Sequence, residues 1–82
     1  MPTLYRRGNW KITMYFRDHE PPHFHIVTRD HREAQVRISD LTVITGAVQS
    51  RTLRSALTWA NGNKFVLRAK WRELHPGLTT DE

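Results

Sequence analysis

The chain has 82 residues, enough for one domain and not two, and a domain of this size buries only about 60% of the surface its unfolded form exposes. It contains no cysteine, which excludes disulfides, thiolate nucleophiles and thiolate metal sites and points to a reducing compartment. The formal net charge is +5, carried by ten arginines and three lysines, and the planar guanidinium fork suits phosphate or carboxylate partners.

No apolar run reaches the ~18 residues a membrane span needs, and no signal peptide opens the chain. A cytoplasmic protein with no membrane association is expected. There is no repeat, low-complexity tract or linker, so residues 1–77 are read as a single α+β domain and 78–82 as a flexible tail.

The elements are predicted in chain order as follows. Residues 3–7 form a short strand, and Gly8-Asn9 is a turn signal. From Trp10 to Arg17 the pattern alternates, with Ile12, Met14 and Phe16 on one side and Lys11, Thr13, Tyr15 and Arg17 on the other. The next strand runs from His23 to Arg29, with Phe24, Ile26 and Thr28 opposed to His23, His25, Val27 and Arg29. Asp30-His31-Arg32 turns the chain. From Glu33 to Ser39, Ala34, Val36 and Ile38 make the apolar face. This hairpin has one dry and one wet side. Leu41 to Thr45 is rich in β-branched residues and reads as a further strand ended by Gly46.

After Gly46 the period changes to that of a helix. Ser50 is the expected N-cap. Leu53, Leu57, Ala60, Leu67, Trp71 and Leu74 recur at helical spacing, and Arg51, Arg54, Thr58, Arg68 and Arg72 lie roughly opposite. Asn61-Gly62-Asn63 interrupts the stripe but leaves its phase intact, which favours one helix kinked near Gly62 over two. Pro76-Gly77 stops it. The expected architecture is an antiparallel four- to five-stranded sheet with one long or kinked C-terminal helix packed on one face. The other face, carrying His23, His25, Arg37 and Tyr15, is expected to be open. Trp71 is expected in the core and Trp59 at its boundary.

Asp18-His19-Glu20-Pro21-Pro22-His23-Phe24-His25 carries the chemistry. Two prolines stiffen the entry to the strand, and residues two apart on a strand share a face, so His23 and His25 can converge on one small object. Three readings compete. The imidazoles act as acid and base, with His19 as a second-rank base and arginine stabilising phosphorane charge during RNA cleavage. Alternatively His23 and His25 ligate a divalent metal, with Asp18, Glu20 or Glu33 as third ligand. The remaining reading is a Pro-Pro corner beside ordinary polar side chains. Metal is the least favoured, because no third ligand stands at a spacing that singles it out, and no cofactor is expected. His31 is read as a solvated turn residue, and His75 as a helix end that suits the dipole.

Several stretches together resemble a known family. They are Met1-Pro2-Thr3, Met14-Tyr15-Phe16 leading into Asp18-His19-x-Pro21-Pro22-His23-Phe24-His25, Ala34 with Ile38, Leu41-x-Val43-Ile44-x-Gly46, Arg51-x-Leu53-x-x-Ala56-Leu57-x-Trp59-Ala60, and Trp71. The chain resembles bacterial domain-of-unknown-function family 4160 over about residues 1–75. That resemblance implies one half of a two-gene module of the type II toxin–antitoxin kind, with this chain as toxin. It also implies a small acidic antitoxin-like partner encoded nearby, of domain-of-unknown-function family 2442, and brings no catalytic residues. The chain departs from the family where Asn61-Gly62-Asn63-Lys64 replaces an unbroken acidic helix, and where Arg68 and Lys70 make the helix end basic.

The expected function is therefore a toxin component acting on RNA or the translation machinery, as a metal-independent endoribonuclease. His23 and His25 are the working pair. Arg17 and Arg37 are the phosphate-facing candidates. The alternative is a non-enzymatic module in which Arg51, Arg54, Arg68 and Arg72 meet nucleic acid or an acidic protein.

Overall fold

The computed structural model describes residues 3–16 and 18–75. Five strands are followed by two helices: β1 Thr3–Arg7, β2 Trp10–Thr13, β3 His23–Thr28, β4 Glu33–Arg37, β5 Val43–Gly46, α1 Ser50–Asn61 and α2 Lys64–Leu74. The strands pair in chain order as one antiparallel sheet, β1-β2-β3-β4-β5. The α+β class and the antiparallel sheet agree with the sequence reading.

The dry face holds Trp10, Ile12, Phe24, Ile26, Ala34 and Val36, all buried. It packs against Ala56, Ala60, Leu67, Trp71 and Leu74 of the helices. Trp59 is half-buried at the boundary, stacked on Tyr5 with ring centroids 4.6 Å apart.

Four expectations change. The helix is not continuous: α1 ends at Asn61 and α2 starts at Lys64. Asn63 is the cause, because its side-chain amide donates to the Trp59 carbonyl at 2.8 Å and takes an acceptor that a continuing helix would use. Ser50 is the first helical residue, and Gln49 occupies the N-cap position without a side-chain cap. The second strand stops at Thr13 instead of Arg17, and Phe16 is 63% exposed in the turn that follows.

The fourth change concerns the histidines. The face expected to be open is closed over β3, where His23 is fully buried and His25 is 4% exposed. Early departure of the chain from β2 explains this. Residues 14–16 and 18–22 lie outside the strands and cover the start of β3. Tyr15 sets its ring edge-on to His25 at 4.4 Å, and the C-terminal turn of α2 brings Trp71 to 5.4 Å from His23.

Gly46 is required where it stands. It has φ +81°, and a Cβ there would lie 2.2 Å from the Glu33 carbonyl oxygen. β4 and β5 therefore approach closely beside Glu33.

Candidate functional site

His23 and His25 follow one another on the same face of β3. His23 stands opposite Arg37, and His25 lies between Thr13 and Gln35. Glu33 is the diagonal neighbour of His25 across the β3–β4 ladder, a separation that long side chains bridge. The Nδ1–H of His25 donates to the Glu33 carboxylate. The Nδ1–H of His23 donates to the Pro21 carbonyl at 2.7 Å. The Pro21 carbonyl has no proton to give, so the His23 ring carries its proton on Nδ1, and the His25 ring lies between two carboxylates, with Nδ1 on Glu33 and Nε2 on Asp18. The two Nε2 atoms are thereby turned inward, toward Asp18.

Asp18 Oδ2 lies 2.8 Å from His25 Nε2 and 3.0 Å from His23 Nε2. His23 Nε2 is buried and makes no well-formed hydrogen bond. Its 3.0 Å approach to the carboxylate is an ion-pair distance that lies off the line of a good hydrogen bond. The second carboxylate oxygen of Asp18 accepts from the backbone N–H of His19 at 3.1 Å. Partial burial of Asp18 pushes its carboxyl pKa upward. The His25 hydrogen bond, the field of His23 and the His19 N–H outweigh that and hold it below the ordinary carboxylate range.

The loop is anchored from the far end of the chain. The backbone N–H of Asp18 donates to His75 Nε2 at 2.9 Å. The Nδ1–H of His75 donates in turn to the Trp71 carbonyl at 2.9 Å, and the two rings stack at 3.7 Å. His75 is thus buried and accepts from the loop, a contact that its expected place at the helix end did not disclose.

The expected site residues separate into groups. His23 and His25 are brought together, with Asp18 between them. His19 lies beside them with its side chain 67% exposed, and its ring centroid is 5.0 Å from that of His23. Arg37 neighbours His23 but pairs with Asp40 at 3.0 Å, tying the β4–β5 turn. Arg51, Arg54 and Arg72 are exposed on the helices, and Arg68 is half-buried. Arg17 lies outside the described residues, as do the expected helix stop at Pro76-Gly77 and the tail at 78–82. His31 is exposed in its turn.

Sequence reasoning named Asp18 and Glu33 only among alternatives, and it missed the Trp71–His75 anchor. Glu33 carried a usable signal, since it is acidic and lies on the strand expected to pair with β3. His75 carried none, being 57 positions from its partner. Clefts of about 390 and 460 Å³ occur elsewhere, one at the opposite end of β3 by Arg29 and Arg32, the other by Phe65 and Val66. Neither gathers converging imidazoles and carboxylates, so the chemistry favours the histidine cluster. No helix among the described residues is long and apolar enough to cross a membrane.

A protein-family model described as a domain of unknown function, DUF4160, matches residues 9–72. No curated protein and no solved structure matches the chain.

Proposed function

The chain belongs to the DUF4160 family, and we propose that it is the RNA-directed, toxin-like member of a two-protein module, working in the cytoplasm and restrained by a small acidic partner of the family 2442 kind. The observation that carries this reading is the convergence of His23, His25 and Asp18 within a domain of net charge +5. Cleavage of RNA through its 2′-hydroxyl needs a base, an acid and stabilisation of phosphorane charge. His19 is the imidazole that faces solvent, and its Nδ1 lies 3.2 Å from Asp18 Oδ1, a contact that orients it. In this reading His19 meets the substrate, while the buried pair fixes the loop and the Asp18 charge behind it. Arg51, Arg54 and Arg72 supply a basic exterior for phosphate or for an acidic partner.

Induced expression tests the reading. The wild-type chain slows growth and produces defined RNA fragments, His19→Ala reduces both, and co-expression of the neighbouring acidic protein restores growth. Unimpaired growth with intact RNA, from a chain shown to be folded, removes the nuclease reading.

The burial of His23 and His25 favours a second reading, a binding module without turnover. Affinity for RNA then falls steeply with salt, and no fragments form.

A further inference from the structure

We propose that Asp18 Oδ2, His23 Nε2 and His25 Nε2 form a site for one divalent transition-metal ion, with zinc the ion that this donor set selects. The three donors lie within 4.8 Å of one another. Zinc takes imidazole nitrogen and carboxylate oxygen at about 2.0–2.2 Å, so tetrahedral ligands stand roughly 3.3 Å apart. The 2.8 Å and 3.0 Å carboxylate–imidazole separations open by a few tenths of an ångström on binding, and the two Nε2 atoms, within 4.8 Å of one another, close toward the same spacing. Three protein ligands leave one coordination position free.

Four independent features make this a built site. The outer partners orient both rings: the Pro21 carbonyl takes the His23 Nδ1–H, and the Glu33 carboxylate takes the His25 Nδ1–H. That carboxylate–histidine arrangement orients metal-ligating imidazoles and raises their basicity. His23 Nε2 is buried and aimed at Asp18 with no hydrogen bond of its own, a cost that an ion would relieve. Asp18, the charged ligand, is held in place through its backbone by His75. Finally, the third ligand that sequence spacing did not single out is supplied by the loop folding back.

The donor set decides the class of ion. Two imidazoles and one carboxylate suit borderline ions such as zinc, cobalt or iron. Magnesium and calcium prefer all-oxygen shells. Metal occupancy and RNA cleavage are separable, because binding is read without any substrate.

The test is titration of the metal-free full-length chain with Zn²⁺ at neutral pH, by calorimetry and by competition with a chromophoric chelator. Co²⁺ serves as a spectroscopic substitute. One equivalent binds with submicromolar affinity, and Co²⁺ gives the visible bands of a tetrahedral site. Asp18→Asn abolishes those bands. Glu33→Gln, at a half-exposed position that spares the core, lowers affinity about 10- to 100-fold. His31→Ala, remote and exposed, changes nothing. Absence of submicromolar binding overturns the site. So does binding that is equal in wild type, Asp18→Asn and Glu33→Gln, or binding lost in His31→Ala. Circular dichroism verifies folding of each variant. A chain that binds zinc stoichiometrically yet leaves RNA and growth untouched retains the site and loses the RNA reading. A wild-type chain that cuts RNA and slows growth yet shows no submicromolar Zn²⁺ binding does the reverse.

Discussion

The amide of Asp18 and the imidazole of His75, 57 positions apart, meet at 2.9 Å and join the histidine loop to the last turn of α2. Replacing His75 leaves a partly buried N–H without its acceptor, which costs about 1–3 kcal/mol. His75→Ala should therefore lower the unfolding free energy measured by urea denaturation by that amount, and it should weaken zinc binding although it removes no ligand. An unchanged affinity in a folded His75→Ala protein would show that Asp18 is positioned without this bond.

Trp71 carries the other half of the anchor. It is buried, and its indole N–H has no partner among the described residues. Trp71→Ala should cost about 3–5 kcal/mol, a large share of the roughly 4–12 kcal/mol expected for a domain of this length. Trp71→Phe sacrifices no hydrogen bond and should cost less than about 2 kcal/mol. Equal losses for the two variants in chemical denaturation would contradict this account.

Gly46 couples an exposed edge strand to the site. An alanine there must adopt φ +81° and drive its Cβ against the Glu33 backbone. Left-handed strain alone is worth about 1–3 kcal/mol. Gly46→Ala should thus destabilise the fold and, by displacing Glu33, also reduce zinc affinity. Retained affinity at reduced stability would separate Glu33 from the site.

Much of the fold was legible in advance. Phe24, Ile26, Ala34, Val36 and Ile38 alternate as a half-buried hairpin must, and Leu67, Trp71 and Leu74 keep helical spacing. What misled was the same rule applied past its range. Phe16 continues the alternation of Ile12 and Met14, but the chain has already left the sheet. Alternation likewise labelled His23 and His25 as wet, because a pattern along one strand carries no information about a loop that will cover it. The break at Asn63 turned on a single side-chain hydrogen bond, which periodicity does not encode. The convergence of two imidazoles was legible from their spacing; the carboxylate between them depended on where the loop returns.

Asp40 gives a pH-dependent prediction. Its hydrogen bonding with Thr42 outweighs the opposing desolvation, and with help from Arg37 it holds the carboxyl below its ordinary value. The stability this contributes is complete above the unfolded pKa of about 3.9, and it is lost as pH falls through the lower folded value. Asp40→Asn should be less stable than wild type at about pH 6, with the difference shrinking toward about pH 3. Urea melts at both pH values check it, and a constant difference would refute it.

Salt dependence tests the helix arginines. If Arg51, Arg54 and Arg72 meet phosphates, each contact contributes about 0.7 to the slope of log affinity against log salt for single-stranded RNA. The triple change to glutamate should flatten the slope by roughly 2. An unaltered slope would assign these side chains to solvent or to a protein partner.

The tether from Asp18 to His75 also bears on how far the histidine-proline segment can travel. An octapeptide cut from this chain, or grafted into another hairpin, would bring two imidazoles and a carboxylate but nothing to hold the aspartate amide. Matching those eight letters in another protein therefore identifies donors without a cage. The useful search pattern extends to a tryptophan and a histidine four positions apart at the close of the final helix.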